Sequence, residues 1–271
     1  MSLPWHEVYA LRYATVDRVA SENFLHRPAA PDAPMPMDYF VWLVRGGGRT
    51  VVVDTGFGEE AAARRRRRLL QSPAAGLAAL GVEASSVEEV IVTHLHYDHA
   101  GQLGLFPRAR IHVQDDEVAF ATGRSMTHGT IRGAFDGEDV VALVRHVYAG
   151  RVRFHDGDAT LAPGITLHRV GGHTRGLQVV RVSTERGWVV LASDATHFRA
   201  NLESRNPFPI FVDLPAVLDG YDRLLELASS PDHVVPGHDP EVLRRYPLHP
   251  AGGGEIACLH VAPAPAPVAH P

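Results

Sequence analysis

The residues with the clearest chemical potential form a dense motif, His94-Leu-His96-Tyr-Asp98-His99. It directly follows the apolar residues 90–92, which predict a buried strand. Residues two apart in an extended chain point the same way, so His94 and His96 can converge on one metal ion. Asp98 and His99 come where the chain turns toward a helix and can face a second ion beside the first. Imidazole and carboxylate donors together predict a site for zinc or a similar divalent metal.

Three more candidate ligands come at the ends of other predicted strands: His173 after residues 165–170, Asp194 after residues 188–192, and His238 after residues 233–235. Taken singly, each can be an ordinary hydrogen-bonded loop residue or a helix cap. Together they complete two metal sites, and an acidic residue that ends a buried strand needs a partner. We therefore expect two divalent metal ions. Zinc is the first expectation, and the donor set would also accept manganese, iron or cobalt.

These residues need strands whose ends meet at one edge. Residues 39–44 and 50–54, joined by Arg45-Gly-Gly-Gly48, predict a hairpin. Further strands are predicted at residues 87–92, 108–113, 152–154, 165–170, 178–183, 188–192 and 233–235. Helices are predicted at residues 59–80 with an interruption near Pro73, and at 115–122, 138–148 and 214–228. Runs of strands followed by a helix, twice over, indicate an α/β fold with two packed sheets flanked by helices.

We expect a single domain over residues 37–250. Residues 1–36 are expected to form an N-terminal loop region that packs on this domain, because residues 27–36 are rich in proline and alanine. Residues 251–271 are expected to form a Gly/Pro/Ala-rich C-terminal tail that ends in an Ala-Pro repeat at 262–267.

The composition excludes several kinds of chemistry. All 26 basic residues are arginines, so mechanisms that need a lysine, such as Schiff-base formation or the Walker phosphate loop, are removed. One cysteine, Cys258, cannot build a disulfide framework or an iron–sulfur cluster. A net charge of −5 does not indicate the basic surface that binds nucleic acid. The arginine run at residues 64–68 is interpreted as a solvated helix face, with binding of an acidic substrate as the alternative.

We expect no membrane contact, because no apolar run approaches the ~20 residues that cross a bilayer. The first residues lack the basic and apolar regions of a secretion signal, so the expected location is the cytoplasm. The expected partner is a small molecule with an ester or lactone carbonyl, and the protein can form an oligomer such as a dimer.

The motif set resembles that of the metallo-β-lactamase superfamily. The matching segments over residues 37–240 are Asp54-Thr-Gly56, Thr93-His-Leu-His-Tyr-Asp-His99, Gly172-His173, Ser193-Asp194 and Gly237-His238. The resemblance implies a four-layered αβ/βα sandwich with a dinuclear site at the edge between the sheets. It also implies that Asp54 does not bind a metal ion itself but holds a ligand or a loop in position. The implied ligands are His94, His96 and His173 for one metal ion, Asp98, His99 and His238 for the other, and Asp194 as a bridge.

Within this superfamily the chain is most similar to the N-acyl-homoserine lactonases. It shares their motif continuation Ala100-Gly-Gln102, the segment Gly172-His173-Thr-Arg-Gly-Leu-Gln178 and the pair Asp194-Ala195. His96 stands where the oxygen-reducing diiron members have a glutamate, which favours hydrolysis. The absence of lysine argues against the common zinc β-lactamases, and the short segment after His238 argues against thioesterases of the glyoxalase II type.

The chain departs from the lactonase pattern at His197, where that group has a tyrosine that points at the lactone carbonyl. An imidazole can still donate a hydrogen bond to a carbonyl or oxyanion. The alternative is a loop residue that faces solvent.

The predicted activity is lactone ring opening by a metal-bridging hydroxide, with Asp98 and His197 as catalytic residues. Asp98 would carry the proton to the leaving group, and its alternative role is that of a ligand alone. Hydrolysis of a thioester, an aryl ester or a phosphodiester is the second hypothesis. A metal- or ligand-binding protein without turnover is the third.

Overall fold

The structure, a computed structural model, describes residues 3–264 of the 271-residue chain. The strands are β1 (Glu7–Val16), β2 (Met37–Gly46), β3 (Arg49–Val53), β4 (Arg68–Leu69), β5 (Glu89–Ile91), β6 (Arg110–Gln114), β7 (Val152–His155), β8 (Ala159–Ala162), β9 (Ile165–Arg169), β10 (Gln178–Thr184), β11 (Gly187–Ser193), β12 (Val234–Pro236) and β13 (Ile256–Cys258). The α-helices are α1 (Glu59–Arg65), α2 (Pro73–Ala79), α3 (Tyr97–Ala100), α4 (Asp115–Ala121), α5 (Gly129–Arg132), α6 (Gly137–Tyr148), α7 (Arg199–Ser204), α8 (Leu214–Leu227) and α9 (Glu241–Arg245).

The strands form two sheets. The first has the order β13-β1-β2-β3-β5-β6-β7, with β4 paired to β1, and the second has the order β12-β11-β10-β9-β8. The predicted hairpin is present, because β2 and β3 pair antiparallel with Trp42 opposite Val53. Strands β3, β5, β6 and β7 run parallel, as do β11 and β12. Parallel neighbours bring their carboxyl ends to the same edge of a sheet, which is where the candidate site residues come.

Three buried clusters show how the layers stack. One cluster joins the facing sides of the two sheets, with Trp42 and Phe40 from the first sheet against Leu167 and Val180 from the second. A second covers the other face of the first sheet with helices. The third covers the other face of the second sheet with α8, for example through Leu224. The expected α/β fold, a four-layered αβ/βα sandwich, is confirmed.

The N-terminal segment departs from the expectation of a loop. Residues 7–16 form β1, which lies inside the first sheet between β13 and β2. Its side chains are buried on both faces, with Val8 between the sheets and Leu11 under the helices. The expectation was wrong here because the proline-rich stretch that suggested a loop starts later, at residue 27. The predicted division of the chain into domains stays a prediction.

The C-terminal segment also contributes to the sheet. Strand β13 lies within the region expected to be a tail and pairs with β1, placing Cys258 opposite Tyr9. Residues 265–271, which hold half of the Ala-Pro repeat, lie outside the described residues.

The region predicted as one interrupted helix at 59–80 contains two helices with β4 between them. Helix α1 ends because Arg66 takes a left-handed conformation with φ 55°. Pro73 begins α2, where Ser72 caps the helix by accepting from the Ala75 N–H. Helix α1 therefore ends within the arginine run, after Arg65. Arg64, Arg66 and Arg68 are exposed, but Arg65 and Arg67 turn inward, so the interpretation as a solvated face is wrong for these two.

Within residues 3–264, none of the helices combines the length and the apolar character that a bilayer crossing needs.

Candidate metal centre

The candidate ligands lie on loops at one edge of the two sheets. His94 and His96 follow β5, Asp98 and His99 are in α3, and the loops after β9, β11 and β12 carry His173, Asp194 and His238. All seven side chains are buried. The structure brings the seven residues together, although they are up to 144 positions apart in the sequence.

Four side chains form a first group: His94, His96, His173 and Asp194. One ligand atom from each lies within 4.8 Å of the others. Asp194 Oδ2 is 3.6 Å from His94 Nε2 and 3.1 Å from His173 Nε2. Three imidazoles with one carboxylate are a donor set that zinc accepts.

A second group consists of Asp98, His99 and His238, whose ligand atoms also lie within 4.8 Å of one another. Asp194 Oδ1 is 3.2 Å from His99 Nε2 and 2.9 Å from His238 Nε2. One oxygen of Asp194 thus faces each group. This is the position that the family resemblance implies for a bridging ligand.

The close approach of β11 and β12 depends on Gly237. A Cβ atom at this position would lie 2.6 Å from the backbone of Ser193 and 3.0 Å from Asp194 Oδ1. Any larger residue would therefore push His238 away from Asp194.

Hydrogen bonds behind the imidazole rings determine which nitrogen faces the cluster. His173 Nδ1 donates to the Ile210 carbonyl at 2.7 Å, and His238 Nδ1 donates to the Asp38 carbonyl at 2.8 Å. A carbonyl can only accept, so the proton of each ring is on Nδ1. The Nε2 lone pair is then free to bind a cation, as in other histidine metal sites.

Several buried polar atoms at the centre have no hydrogen-bond partner among the described residues: His94 Nε2, His99 Nε2, His238 Nε2 and Asp194 Oδ1. A buried unpaired polar atom costs about 1–3 kcal/mol. Cations placed between these atoms would satisfy them together. The residues therefore fit a pair of divalent metal ions, and we propose the seven residues as the ligands.

The protonation state of His94 and His96 agrees with this proposal. Burial lowers the pKa of His94 and His96 well below the value of a free imidazole, and the neighbouring imidazoles lower it further. Both rings are therefore neutral at pH 7, which is the form that binds a metal ion.

Asp54 supports two ligand-bearing segments from behind. Its carboxylate accepts from the Thr93 N–H at 2.7 Å, from the Thr93 hydroxyl at 2.8 Å and from His99 Nδ1 at 2.7 Å. These contacts agree with the supporting role that the resemblance implies.

Glu117 is a second supporting carboxylate, and the sequence analysis missed it. It is fully buried and accepts from the Leu95 N–H at 2.8 Å, between the first two histidines. It also accepts from the Thr174 hydroxyl at 2.6 Å and from the Gly176 N–H at 3.0 Å, next to His173. Glu117 thus connects the two loops that carry the three histidines of the first group. In the sequence, Glu117 shows only as an acidic residue in the first turn of the helix after β6. Acidic residues are common at this position of a helix, so they do not indicate a supporting role.

We expect Glu117→Gln to weaken metal binding by about 10- to 100-fold, the usual effect of losing a carboxylate behind the ligands. The amide presents a donor where the carboxylate accepts, so at least one of the three hydrogen bonds is lost. Competition with a chromophoric chelator measures the metal affinity. Asp116→Asn, on the same helix but half exposed and paired with Arg169, is the control. Unchanged affinity in Glu117→Gln would contradict the supporting role.

His197 lies beside the cluster, so the alternative of a loop residue that faces solvent is wrong. It is 4% exposed, and its Nε2 is 3.1 Å from Asp194 Oδ2. Its ring stacks on Phe208 with 3.8 Å between the ring centres. Asp194, His197 and His238 also offer a third set of ligand atoms within 4.8 Å of one another. A catalytic role for His197 stays a prediction.

Aromatic side chains pack against the imidazoles of the cluster. Phe135 packs edge-on against His96 at 4.6 Å, and Tyr39 packs edge-on against His238 at 5.2 Å. With Phe208, these side chains place apolar surface next to both proposed metal groups.

The comparison with known families decides the classification. The sequence profile of the metallo-beta-lactamase superfamily matches residues 35–238, which contain the whole cluster. The chain belongs to the metallo-beta-lactamase superfamily.

Relatives of this chain include a probable metallo-hydrolase and a lactonase. A probable metallo-hydrolase of Mycobacterium tuberculosis is 26% identical over 236 residues, 75% of this chain and 72% of that protein. An N-acyl homoserine lactonase of a Bacillus species is 30% identical over 176 residues, and the match spans 64% of each chain. The match thus spans less than two thirds of the length of that lactonase.

A solved structure confirms the fold. The crystal structure of a quorum-quenching N-acyl homoserine lactone lactonase superposes with a TM-score of 0.71 and 24% identity, covering 89% of this chain and 94% of that one. Superfamily membership, the relatives and the His/Asp cluster together support a metal-dependent hydrolase.

Proposed function

We propose that the protein is a dinuclear metal-dependent hydrolase that opens a lactone ring. The observation that carries the proposal is the arrangement around Asp194, whose two oxygens each face a separate group of metal-ligand atoms. The similarity to the Bacillus lactonase supports the choice of a lactone as the substrate.

Two divalent ions at this site would lower the pKa of a water molecule and polarise the carbonyl of an ester. In the net reaction, oxygen from water bonds to the acyl carbon and the ring C–O bond breaks. The water proton must then reach the leaving alkoxide. This step needs a group of the protein that is close to the reacting atoms and can hold a proton.

The position of Asp98 supports a role for it in this proton transfer. Its Oδ2 lies 3.8 Å from both His99 Nε2 and His238 Nε2, at the border of the second group. Its backbone is held by Tyr13, whose hydroxyl donates to the Asp98 carbonyl at 2.9 Å. A carboxylate at this position can take a proton from water and pass it to the alkoxide.

His197 can act next to the carbonyl group of the substrate. Its ring is held between Phe208 and Asp194, and a hydrogen bond from Nε2 to Asp194 would fix its direction. We propose that it positions Asp194 and borders the carbonyl oxygen of the substrate.

Turnover of a substrate panel by metal-loaded protein tests the proposed function. The panel contains acyl-homoserine lactones with short and long chains and simple γ- and δ-lactones. A thioester and bis-(p-nitrophenyl) phosphate are the contrasting substrates. We expect acid release from lactones, measured by pH-stat, that stops on addition of a chelator and returns with metal. Turnover of the thioester or the phosphodiester without any turnover of lactones would overturn the choice of substrate.

A further inference from the structure

Arg18 lies close to the candidate metal centre but has an unused hydrogen-bond donor. Its guanidinium carbon is 5.1 Å from the centre of the Phe208 ring, which stacks on His197. One terminal nitrogen donates to the Glu22 carbonyl at 2.5 Å. Its Nε is buried and has no partner among residues 3–264. A buried donor of a charged group is costly to leave unpaired, so this position favours an additional acceptor.

Arg67 lies beside Tyr97, close to the second group of candidate ligands. Its Nε donates to the Tyr97 hydroxyl at 3.2 Å, and one terminal nitrogen donates to the Arg65 carbonyl at 3.0 Å. The Tyr97 hydroxyl in turn donates to the Tyr39 hydroxyl at 3.3 Å. The Tyr39 ring packs against His238. Along these contacts, two tyrosines separate Arg67 from a proposed metal ligand.

Arg18 and Arg67 differ from the arginines that form ion pairs. Many arginines pair with a carboxylate, as in Arg12–Asp38, Arg199–Asp232, Arg205–Asp222 and Arg223–Asp158. In the part of the chain that the structure describes, the hydrogen bonds of Arg18 and Arg67 go only to neutral oxygens.

The charge of Arg67 also acts on Arg18. Burial lowers the pKa of the Arg18 guanidinium, the Glu22 carboxylate raises it, and the positive charge of Arg67 lowers it. The two like charges repel each other and, among the described residues, neither guanidinium hydrogen-bonds a carboxylate, so a bound anion would stabilise both.

We propose that Arg18 and Arg67 bind an anionic group of the substrate, a carboxylate or a phosphate. The substrate is then an anionic lactone or ester. The planar guanidinium offers two parallel donors to such a group, which a single ammonium does not. This inference rests on the proposed function and narrows its substrate class. It also gives one member of the arginine run at residues 64–68 a role in substrate binding.

Kinetics on matched substrates test the inference with metal-loaded protein. The substrates are one γ-lactone, the same lactone with an added carboxylate, and the same lactone with an added phosphate. In Arg18→Gln and Arg67→Gln we expect kcat/KM on the preferred anionic lactone to fall about 10- to 100-fold, mainly through KM. On the neutral lactone we expect the fall in kcat/KM to be smaller by a factor of at least about ten. Arg68→Gln, exposed on the same run, is the control. Equal losses on the neutral and anionic lactones would overturn the inference.

A binding measurement separates this inference from the proposed function. Calorimetric titration of the metal-loaded protein with glutarate and with inorganic phosphate measures anion affinity without turnover. We expect the affinity for at least one anion to fall by about tenfold or more in Arg18→Gln and Arg67→Gln but not in Arg68→Gln. The preferred anion distinguishes a carboxylate from a phosphate. If no lactone is hydrolysed but these variants lose anion affinity, the proposed function fails and the anion site stands. If all variants bind both anions equally well, the anion site fails.

Discussion

Replacement of Asp194 by asparagine is expected to lower the hydrolysis rate by on the order of 10³-fold, because a metal pair supplies several kcal/mol of transition-state stabilisation. Each carboxylate oxygen of Asp194 faces a different group of histidines, at 2.9 to 3.6 Å. An amide of the same shape has one oxygen and no charge. It cannot serve both groups, so the metal content should fall from two ions per chain toward one.

Metal analysis by inductively coupled plasma spectrometry measures this loss directly. Thermal unfolding gives a second readout that needs no substrate, since an ion that binds only the native state raises Tm. The metal-dependent gain in Tm should be smaller in Asp194→Asn than in the wild type. Asp222→Asn, an exposed aspartate paired with Arg205, is the control and should keep both ions. Two bound ions and a wild-type rate in Asp194→Asn would exclude the bridging role.

Asp98→Asn is expected to lower kcat on an alkyl lactone by about 10²- to 10⁴-fold, the usual range for a lost general acid or base. The substitution preserves the size of the side chain but removes its ability to carry a proton. An aryl ester should lose much less, because a phenolate leaves without protonation. The ratio of the two losses is therefore the informative quantity.

The same variant distinguishes proton transfer from a role as ligand alone. If Asp98 only holds a metal ion, both substrates should lose activity equally and excess metal should restore it. If Asp98 carries the proton, the alkyl lactone should stay slow at saturating metal with two ions bound. Asp115→Asn, an exposed position in the first turn of α4, controls for the loss of one negative charge.

The sequence by itself determined the candidate metal centre and the type of fold. The spacing in His94-Leu-His96-Tyr-Asp98-His99 is local, so short-range geometry was enough to predict convergence on metal ions. The other three candidates each follow a predicted strand, and the carboxyl ends of parallel strands share one edge. The structure places these three residues beside the motif. Alternating and continuous apolar segments likewise predicted β2, β3 and β9 to β11, because burial leaves a pattern along the chain.

Only the tertiary structure revealed β1. This strand pairs with β13, so that Tyr9 lies opposite a residue almost 250 positions later. A strand that is buried on both faces and broken by a register shift near Arg12 has no simple alternation to detect. Its existence depends on partners that are remote in sequence.

The tertiary structure also decided what individual polar residues do. Glu117 looks like an ordinary residue in the first turn of a helix, yet packing places it behind both ligand loops. Neighbours in one arginine run have opposite environments, because the left-handed Arg66 turns Arg67 inward and leaves Arg68 exposed. His197 faces Asp194 because β11 and Phe208 hold it there. A sequence pattern identifies residues that can do chemistry, but their neighbours are set by contacts between distant segments, which local patterns do not encode.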